Sequence, residues 1–256
     1  MTPPLRHVVE RTVRIEADRD TVFHYFTDSG RWASWWGAGS SIDARPGGRV
    51  LIRHPNGVEV AGEVTAIEPP SAIAFTYADA AGGATPADTS LVTIRLTDDG
   101  GATRLHLRHA FAEPAMRDEH VQGWRFQLSL FGNLVAAEAF APAEQRVDAW
   151  FAAWSDPEAA TREAALSRVV SPDIRFRDRF SLIDGLDDLR PHLAAVHRFM
   201  PGMRLQRRGD IRQCQGMVMA DWVAHGADGG ERGRGTTVFV LGAGARIEQV
   251  TGFWER

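Results

Sequence analysis

The sequence lacks lysine, has a single cysteine and contains no long apolar run, and each shortage excludes a class of protein. All 29 positive charges are arginine and they are spread along the chain, which indicates biased codon usage rather than a phosphate-binding surface. With a net charge of -4 and no basic stripe, the chain is not expected to bind nucleic acid. Cys214 alone can form neither an intramolecular disulfide nor a multi-cysteine metal site, as is usual in a reducing compartment.

The N-terminal residues and the hydropathy pattern predict a soluble, cytoplasmic protein. Pro3, Pro4 and charged residues stand where a signal peptide would need its apolar core. No segment approaches the roughly 20 apolar residues of a membrane-spanning helix. We therefore expect no membrane partner.

Two amphipathic helices that meet at Ala141-Pro142 divide the chain. Proline cannot continue a helix and restricts the residue before it. A chain of 256 residues is long enough for two domains. The sequence therefore predicts domains at 1–141 and 142–256. The apolar faces of the two helices are Val121, Trp124, Leu128, Phe131 and Val135 before the joint, widened by Phe126, Leu130 and Leu134, and Val147, Trp150, Phe151 and Trp154 after it.

The first half has the pattern of one strand, two short helices, five or six antiparallel strands and one long helix. His7 to Ile15 alternates as a strand, and the short helices carry Val22 to Phe26 and Trp32 to Trp36. The remaining strand-length segments are bounded by turn residues: Arg49 to Arg53, Val58 to Glu68, Ala72 to Tyr77, Ser90 to Thr97 and Thr103 to Phe111.

This order resembles the START-like, or Bet v 1-like, superfamily, and within it the branch related to the C-terminal domain of the activator of Hsp90 ATPase. The resemblance rests on Val13 to Phe26, Trp32 to Gly37, Pro46-Gly47-Gly48, Gly62 to Pro70 and Gly123-Trp124. It implies a helix-grip fold, in which a curved antiparallel sheet wraps the long helix and leaves an apolar cavity.

Few polar groups are available to orient a ligand in such a cavity. The candidate ligand-binding residues are Tyr25, Trp35, Trp36, Tyr77, His109 and Trp124. His109 and Trp124 each have an alternative interpretation as core residues, because they share faces with Leu107 and Leu128. Trp32, Trp35 and Trp36 are too many to be buried by one short helix, so we expect one of them at a cavity mouth or at a domain contact.

The second half begins with two helices, continues with a strand and a third helix, and ends with three strands. In the segment Ile174 to Phe180 the alternation places Asp178 on the apolar face beside Phe176 and Phe180. The helix is predicted over Leu186 to Met200 and the strands over Gln213 to His225, Gly233 to Leu241 and Ala245 to Trp254.

This half resembles the SnoaL-like group of the NTF2-like superfamily. The resemblance rests on Ser171 to Ile174, Asp184 to Asp187, Pro201-Gly202 and Arg246 to Glu248. It implies an α+β cone with a pocket at its open end and, in many relatives, a dimer. Its members include polyketide cyclases, steroid isomerases and proteins without demonstrated chemistry.

Asp178 and His192 are the candidate catalytic residues of this pocket. An aspartate among aromatic rings has its charged form disfavoured, which would move its pKa toward the range useful for proton transfer. The alternative is a structural acid paired with an arginine. His192 lies near the apolar stripe of its helix, and the candidate lining residues are Phe176, Trp222, Gln249 and Thr251.

The sequence thus predicts an α+β protein that binds a small hydrophobic, polyketide-like or polycyclic molecule. Any conversion would be cyclase-type or isomerase-type proton transfer without a cofactor or metal, because no nucleotide-binding glycine motif and no metal-ligand set is present. The alternative is a non-catalytic ligand-binding or chaperone-activator-like interaction module, with the tryptophan cluster as its contact surface.

Overall fold

The computed structural model describes residues 3–81 and 85–255 and has the predicted α+β class. Contacts divide the chain into two compact units, Met1–Ala136 and Ala137–Arg256. This division falls within the long helix, five residues before the joint at Ala141-Pro142 where the sequence predicts a domain boundary. The residues described form six α-helices and two mainly antiparallel sheets.

The first unit contains one sheet and the helices that cover it. In chain order its elements are β1 His7–Ile15, α1 Arg19–His24, α2 Ser29–Trp36, β2 Ser41–Ile42, β3 Arg49–Arg53, β4 Glu59–Glu68, β5 Ala72–Thr76, β6 Ala78–Asp79, β7 Ser90–Asp99, β8 Ala102–Phe111 and α3 Pro114–Ala139. The sheet order is β1-β8-β7-β5-β4-β3-β2, with β6 paired to β4. Asp18 and Asp28 cap α1 and α2, each through a 2.8 Å hydrogen bond accepted from a backbone N–H of the first turn.

Only one face of α3 is buried, and it is narrower than the sequence predicts. Trp124, Leu128 and Phe131 lie in the core, whereas Phe126 is 65% exposed and Leu130 is 39% exposed. The prediction that these two residues widen the covered face is therefore wrong.

The second unit is a six-stranded sheet with three helices. Its elements are α4 Ala143–Ser155, α5 Ala159–Val169, β9 Val170–Arg177, β10 Leu182–Asp184, α6 Leu186–Phe199, β11 Arg204–Cys214, β12 Met217–His225, β13 Glu231–Leu241 and β14 Ile247–Trp254. The sheet order is β10-β9-β14-β13-β12-β11, and only β9 and β14 pair in parallel.

The segment predicted as one strand from Gln213 to His225 is the end of β11, a turn and β12. Gln215 and Gly216 both have positive φ, 46° and 82°, and form a two-residue hairpin loop. Glutamine is not one of the residues that signal such a loop, so the sequence pattern missed the turn and most of β11.

Candidate functional site

A cavity of about 910 Å³ opens in the second unit. This is the size range of sites for small organic molecules. Its wall is mostly apolar and rich in tryptophan. The residues that line it are Trp150, Trp154, Phe176, Asp178, Phe180, Ser181, His192, Val196, Met200, Pro201, Met203, Leu205, Trp222, Ala224, Gly226, Ala227, Asp228, Arg232, Thr237, Gly252 and Trp254.

The periodicity of each element explains which residues reach the cavity. Helix α4 contributes Trp150 and Trp154, one turn apart, and α6 contributes His192 and Val196 at the same spacing. The strands contribute alternate residues, such as Trp222 and Ala224 of β12, because successive side chains point to opposite faces. Inward positions of α4, α6 and the sheet therefore make up much of the wall, and loop residues such as Asp178 and Pro201 complete it.

Two glycines in β13 make room for this aromatic wall. A Cβ on Gly235 would come within 2.8 Å of the Trp222 ring, and one on Gly233 within 2.8 Å of the Trp254 ring. Such distances are too short for any side chain. The two glycines therefore let the rings of Trp222 and Trp254 lie against the backbone of β13.

Asp178 lies on the bend that follows β9, not within the strand, and it is half-buried. Its Oδ1 accepts a 2.8 Å hydrogen bond from the backbone N–H of Phe180, and its Oδ2 accepts one of 3.1 Å from Nε1 of Trp254. No arginine pairs with it among the residues described. Each carboxylate oxygen therefore keeps a lone pair for a ligand.

Phe180 does not lie inside as predicted. It is 67% exposed and sits at the edge of the cavity, with its ring 5.2 Å from that of Trp254 in an edge-to-face arrangement. The alternation rule fails here because β9 ends at Arg177 and the chain turns. Phe180 therefore covers part of the opening.

His192 reaches the same cavity from α6 and is half-buried. Its Nε2 lies 3.2 Å from Oγ of Ser181, and the backbone oxygen of Ser181 accepts a hydrogen bond from the N–H of Asp178. Ser181, which sequence reasoning missed, thus connects the two candidate catalytic residues. The pattern carries no signal for it, since a lone serine after a strand is ordinary turn chemistry.

The four predicted lining residues divide into two pairs. Phe176 and Trp222 are buried and line the cavity. Gln249 and Thr251 do not line the cavity, because on β14 the inward positions are Val250, Gly252 and Trp254.

Two polar features complete the wall. Asp228 and Arg232 form a 2.6 Å ion pair at the hairpin between β12 and β13, and both side chains are largely exposed. The indole nitrogens of Trp154 and Trp222 are buried and have no hydrogen-bond partner in the part of the chain described. A site with so few polar groups suits a mostly apolar ligand.

In the first unit the predicted ligand-binding residues Tyr25, Trp35, Trp36, Tyr77, His109 and Trp124 are all buried. They pack on one another and on their neighbours: the ring centroids of Trp35 and Trp36 lie 4.3 Å apart and those of Trp36 and Trp124 lie 5.6 Å apart. Trp32 is also fully buried. The expectation that the cluster is too large to be fully buried is therefore wrong, because the residues after α1, helix α3 and the sheet share in covering it.

Hydrogen bonds fix His109 within this aromatic core. Nε1 of Trp124 donates to Nδ1 of His109 over 2.9 Å, and Nε2 of His109 lies 3.0 Å from Oγ of Ser90. An indole can only donate, so Nδ1 is the acceptor and Nε2 carries the proton. Burial, with a smaller contribution from His120, holds the pKa of His109 well below its usual value.

Two further titratable groups contact His109. Burial raises the pKa of Tyr77 far above its usual value and lowers that of His120. The ring centroids of both lie about 5 Å from that of His109. All three groups are thus neutral near pH 7. Among the residues described, no group of three or more histidine, cysteine or acidic residues could hold a metal ion.

Residues 16–136 match the model of the family described as Activator of Hsp90 ATPase homolog 1-like protein. This match confirms the family recognised from the sequence in the first half. No curated protein matches the chain. No helix within the described ranges is long and apolar enough to cross a membrane.

Solved structures resemble parts of the chain. A proposed isomerase of the SnoaL-like family from Agrobacterium tumefaciens is 21% identical, with 46% of this chain and 99% of that one covered and a TM-score of 0.42. CalU16 from Micromonospora echinospora is 26% identical over 49% of this chain and 71% of its own, with a TM-score of 0.41. The Aha1 dimer from Colwellia psychrerythraea is 16% identical over 49% and 93%, with a TM-score of 0.42.

Proposed function

We propose that the second unit binds a small, mostly apolar, polycyclic or polyketide-like molecule in its cavity and that Asp178 accepts a proton from it. The observation that carries this proposal is the cavity of about 910 Å³, which is walled by four tryptophans and contains one carboxylate without a cationic partner. An apolar ligand would gain about 25 cal/mol for each Å² of surface removed from water.

The arrangement around Asp178 supports a role in proton transfer. The backbone N–H of Phe180 and the indole N–H of Trp254 orient the carboxylate. His192 is linked to the same loop by its contact with Ser181. A base held in place by two donors loses little orientational freedom when substrate binds. The conversion would be of cyclase or isomerase type and would need no cofactor.

Thermal unfolding with a panel of aromatic and polycyclic compounds tests the binding step. A ligand that binds only the folded state at 100 times its Kd adds about 2.7 kcal/mol to the free energy of unfolding. We expect Ala224→Leu, which fills the cavity, to abolish this stabilisation. Val223→Leu, which changes the neighbouring residue on the opposite face of β12, is the matched control and should retain it. If no compound stabilises the protein, or if Ala224→Leu responds as the parent does, the proposal fails.

Asp178→Asn tests the chemical step with a compound that binds. It removes the base and keeps the shape, so we expect ligand stabilisation to persist while turnover falls at least 100-fold, the usual scale of general-base catalysis. Unchanged turnover would show that Asp178 is not the base.

The alternative is a non-catalytic interaction module. The tryptophan cluster is buried, so a contact surface would instead use exposed Phe126 and Leu130, one turn apart on α3. This alternative predicts that no compound of the panel stabilises the protein. A homodimer through the second unit and a cytoplasmic location remain proposals.

A further inference from the structure

Thr237 is the one hydroxyl-bearing or charged side chain of the cavity wall that makes no side-chain hydrogen bond to any described residue. The other such groups have partners: Asp178 with Trp254, Ser181 with His192, and Asp228 with Arg232. Thr237 is 95% buried, since only 5% of its surface is exposed. Because Thr237 lines the cavity and its hydroxyl group has no protein partner among the described residues, that hydroxyl group is available to a ligand atom.

The hydroxyl of Thr237 and the carboxylate of Asp178 lie on two sides of the same small space. A Cβ placed on Gly252 would be 3.9 Å from Oγ1 of Thr237 and 3.8 Å from Oδ2 of Asp178. Gly252 itself lines the cavity and has no side chain to fill this space. That position is also 3.0 Å from Cβ of Asp178, so a ligand oxygen can approach both groups only from the cavity side of it.

The two groups together select the chemistry of that atom. A carboxylate only accepts hydrogen bonds, while a threonine hydroxyl both donates and accepts. A ligand hydroxyl can donate to Asp178 and accept from Thr237 at once. An ether oxygen cannot donate, and a ligand carboxylate would be repelled by the charge of Asp178.

We propose that Asp178, Thr237 and Gly252 form a subsite for a single hydroxyl group, phenolic or enolic, on an otherwise apolar ring. This inference rests on the proposed function, because it assumes that the cavity holds such a ring. The inference goes beyond the proposed function by naming the substituent that the ring carries and the place in the cavity where that substituent lies. Thr237 acts here as a specificity-determining residue.

Matched pairs of probes that differ by one methyl group test the subsite. The pairs are 2-naphthol with 2-methoxynaphthalene, and estradiol with its 3-O-methyl ether, and their affinities are measured by calorimetry. We expect each hydroxyl compound to bind the parent protein more tightly than its ether, and 2-naphthoic acid to bind more weakly than 2-naphthol. Thr237→Val keeps the shape and removes the hydroxyl, so it should weaken 2-naphthol about 2- to 10-fold, the scale of one net hydrogen bond, and leave naphthalene, which has no oxygen, unchanged.

Gly252→Ala provides a second test, because its methyl group would occupy the space between the two oxygens. We expect it to abolish the preference for the hydroxyl compound, with naphthalene as the reference for retained binding. Thr251→Val, on the outer face of the same strand, is the control and should keep the preference. Circular dichroism verifies that each variant is folded.

The outcomes separate this inference from the proposed function. If both members of each pair bind equally to the parent, if Thr237→Val binds 2-naphthol as tightly as the parent does, or if the preference survives Gly252→Ala, the subsite is refuted and the apolar cavity stands. If none of the probes, naphthalene included, binds at all, both proposals are refuted.

Discussion

Nε1 of Trp124 donates a 2.9 Å hydrogen bond to Nδ1 of His109, and this bond keeps the buried imidazole in one neutral tautomer. Protonation of Nδ1 would place two N–H groups against each other. Helix α3 and strand β8 are therefore joined by a contact that works only when the histidine is uncharged. The stability of the first unit depends on pH for this reason.

We expect the first unit to lose stability as the pH falls. The pKa of His109 is lowered in the folded protein, mainly by burial, so the unfolded chain binds more protons below its ordinary pKa of about 6.5. The stabilising contribution is therefore complete above about pH 6.5. Below that value, the free energy of unfolding should fall by up to about 1.4 kcal/mol per pH unit for each histidine whose pKa is lowered in the folded protein. The pKa values of His54 and His120 are lowered as well.

Urea unfolding between pH 7.5 and 5.0, followed through NMR signals of each unit, measures this dependence. His109→Asn should reduce the slope for the first unit. His24→Gln, at an exposed position, should leave it as in the parent. A slope that His109→Asn does not change would contradict the argument.

We expect Trp124→Phe to destabilise the protein more than Trp36→Phe. Both rings are buried and lie 5.6 Å apart, so the two changes remove similar volumes from the same core. Of these two tryptophans, Trp124 has a hydrogen-bond partner for its indole nitrogen and Trp36 has none among the described residues. Its loss leaves Nδ1 of His109 unsatisfied, which costs about 1–3 kcal/mol. Chemical denaturation gives both free energies, and equal values would count against a structural role for the hydrogen bond.

Two glycine-to-alanine changes should have opposite signs. Gly123 lies within α3 with nothing within 4 Å of an added Cβ, so Gly123→Ala should stabilise the protein by about 0.5–1 kcal/mol through helix propensity. Gly62 lies in β4, where an added Cβ would overlap the backbone oxygen of Thr76. Gly62→Ala should therefore be destabilising. Melting temperatures compare the two, and a stabilised Gly62→Ala would show that the strands separate more easily than their packing indicates.

Phe180→Ser should speed the release of a bound ligand and change stability little. The side chain is 67% exposed, so it adds little to the core, but it contacts Trp254 at the cavity edge. Leu182→Ser is the matched control, because Leu182 is 74% exposed and does not line the cavity. Stopped-flow fluorescence of a ligand identified in the panel measures release. Equal rates in the two variants would exclude a covering role for Phe180.

Local pattern was sufficient for most elements of the fold. Alternation and turn residues gave β1 and β3 with their observed bounds, and helical spacing gave α6 to within one residue. The pattern failed at Gln215-Gly216, where glutamine adopts a positive φ that its side chain does not favour. It also failed at Phe126, since helical spacing tells how residues group on faces but not how wide a face the rest of the fold will cover.

The candidate site was predictable only in part. The inward carboxylate at Asp178 and the histidine at position 192 follow from spacing, and both line the cavity. The prediction that Gln249 and Thr251 line the cavity is wrong. Which face of β14 turns inward depends on its pairing with β9 and β13, and the local sequence does not contain that pairing. Thr237 carried no signal at all, since a threonine in a strand is ordinary.

The sequence by itself determined the α+β class, the order of most strands and helices and the family of the first half, because these follow from periodicity and turn chemistry within short segments. The tertiary structure alone decided which aromatic side chains fill a core and which surround a cavity. Trp36 and Trp254 look alike in sequence, yet one packs against Trp124 and the other bonds to a carboxylate 76 positions away. The surroundings of a side chain are set by residues far along the chain, and no local pattern contains them.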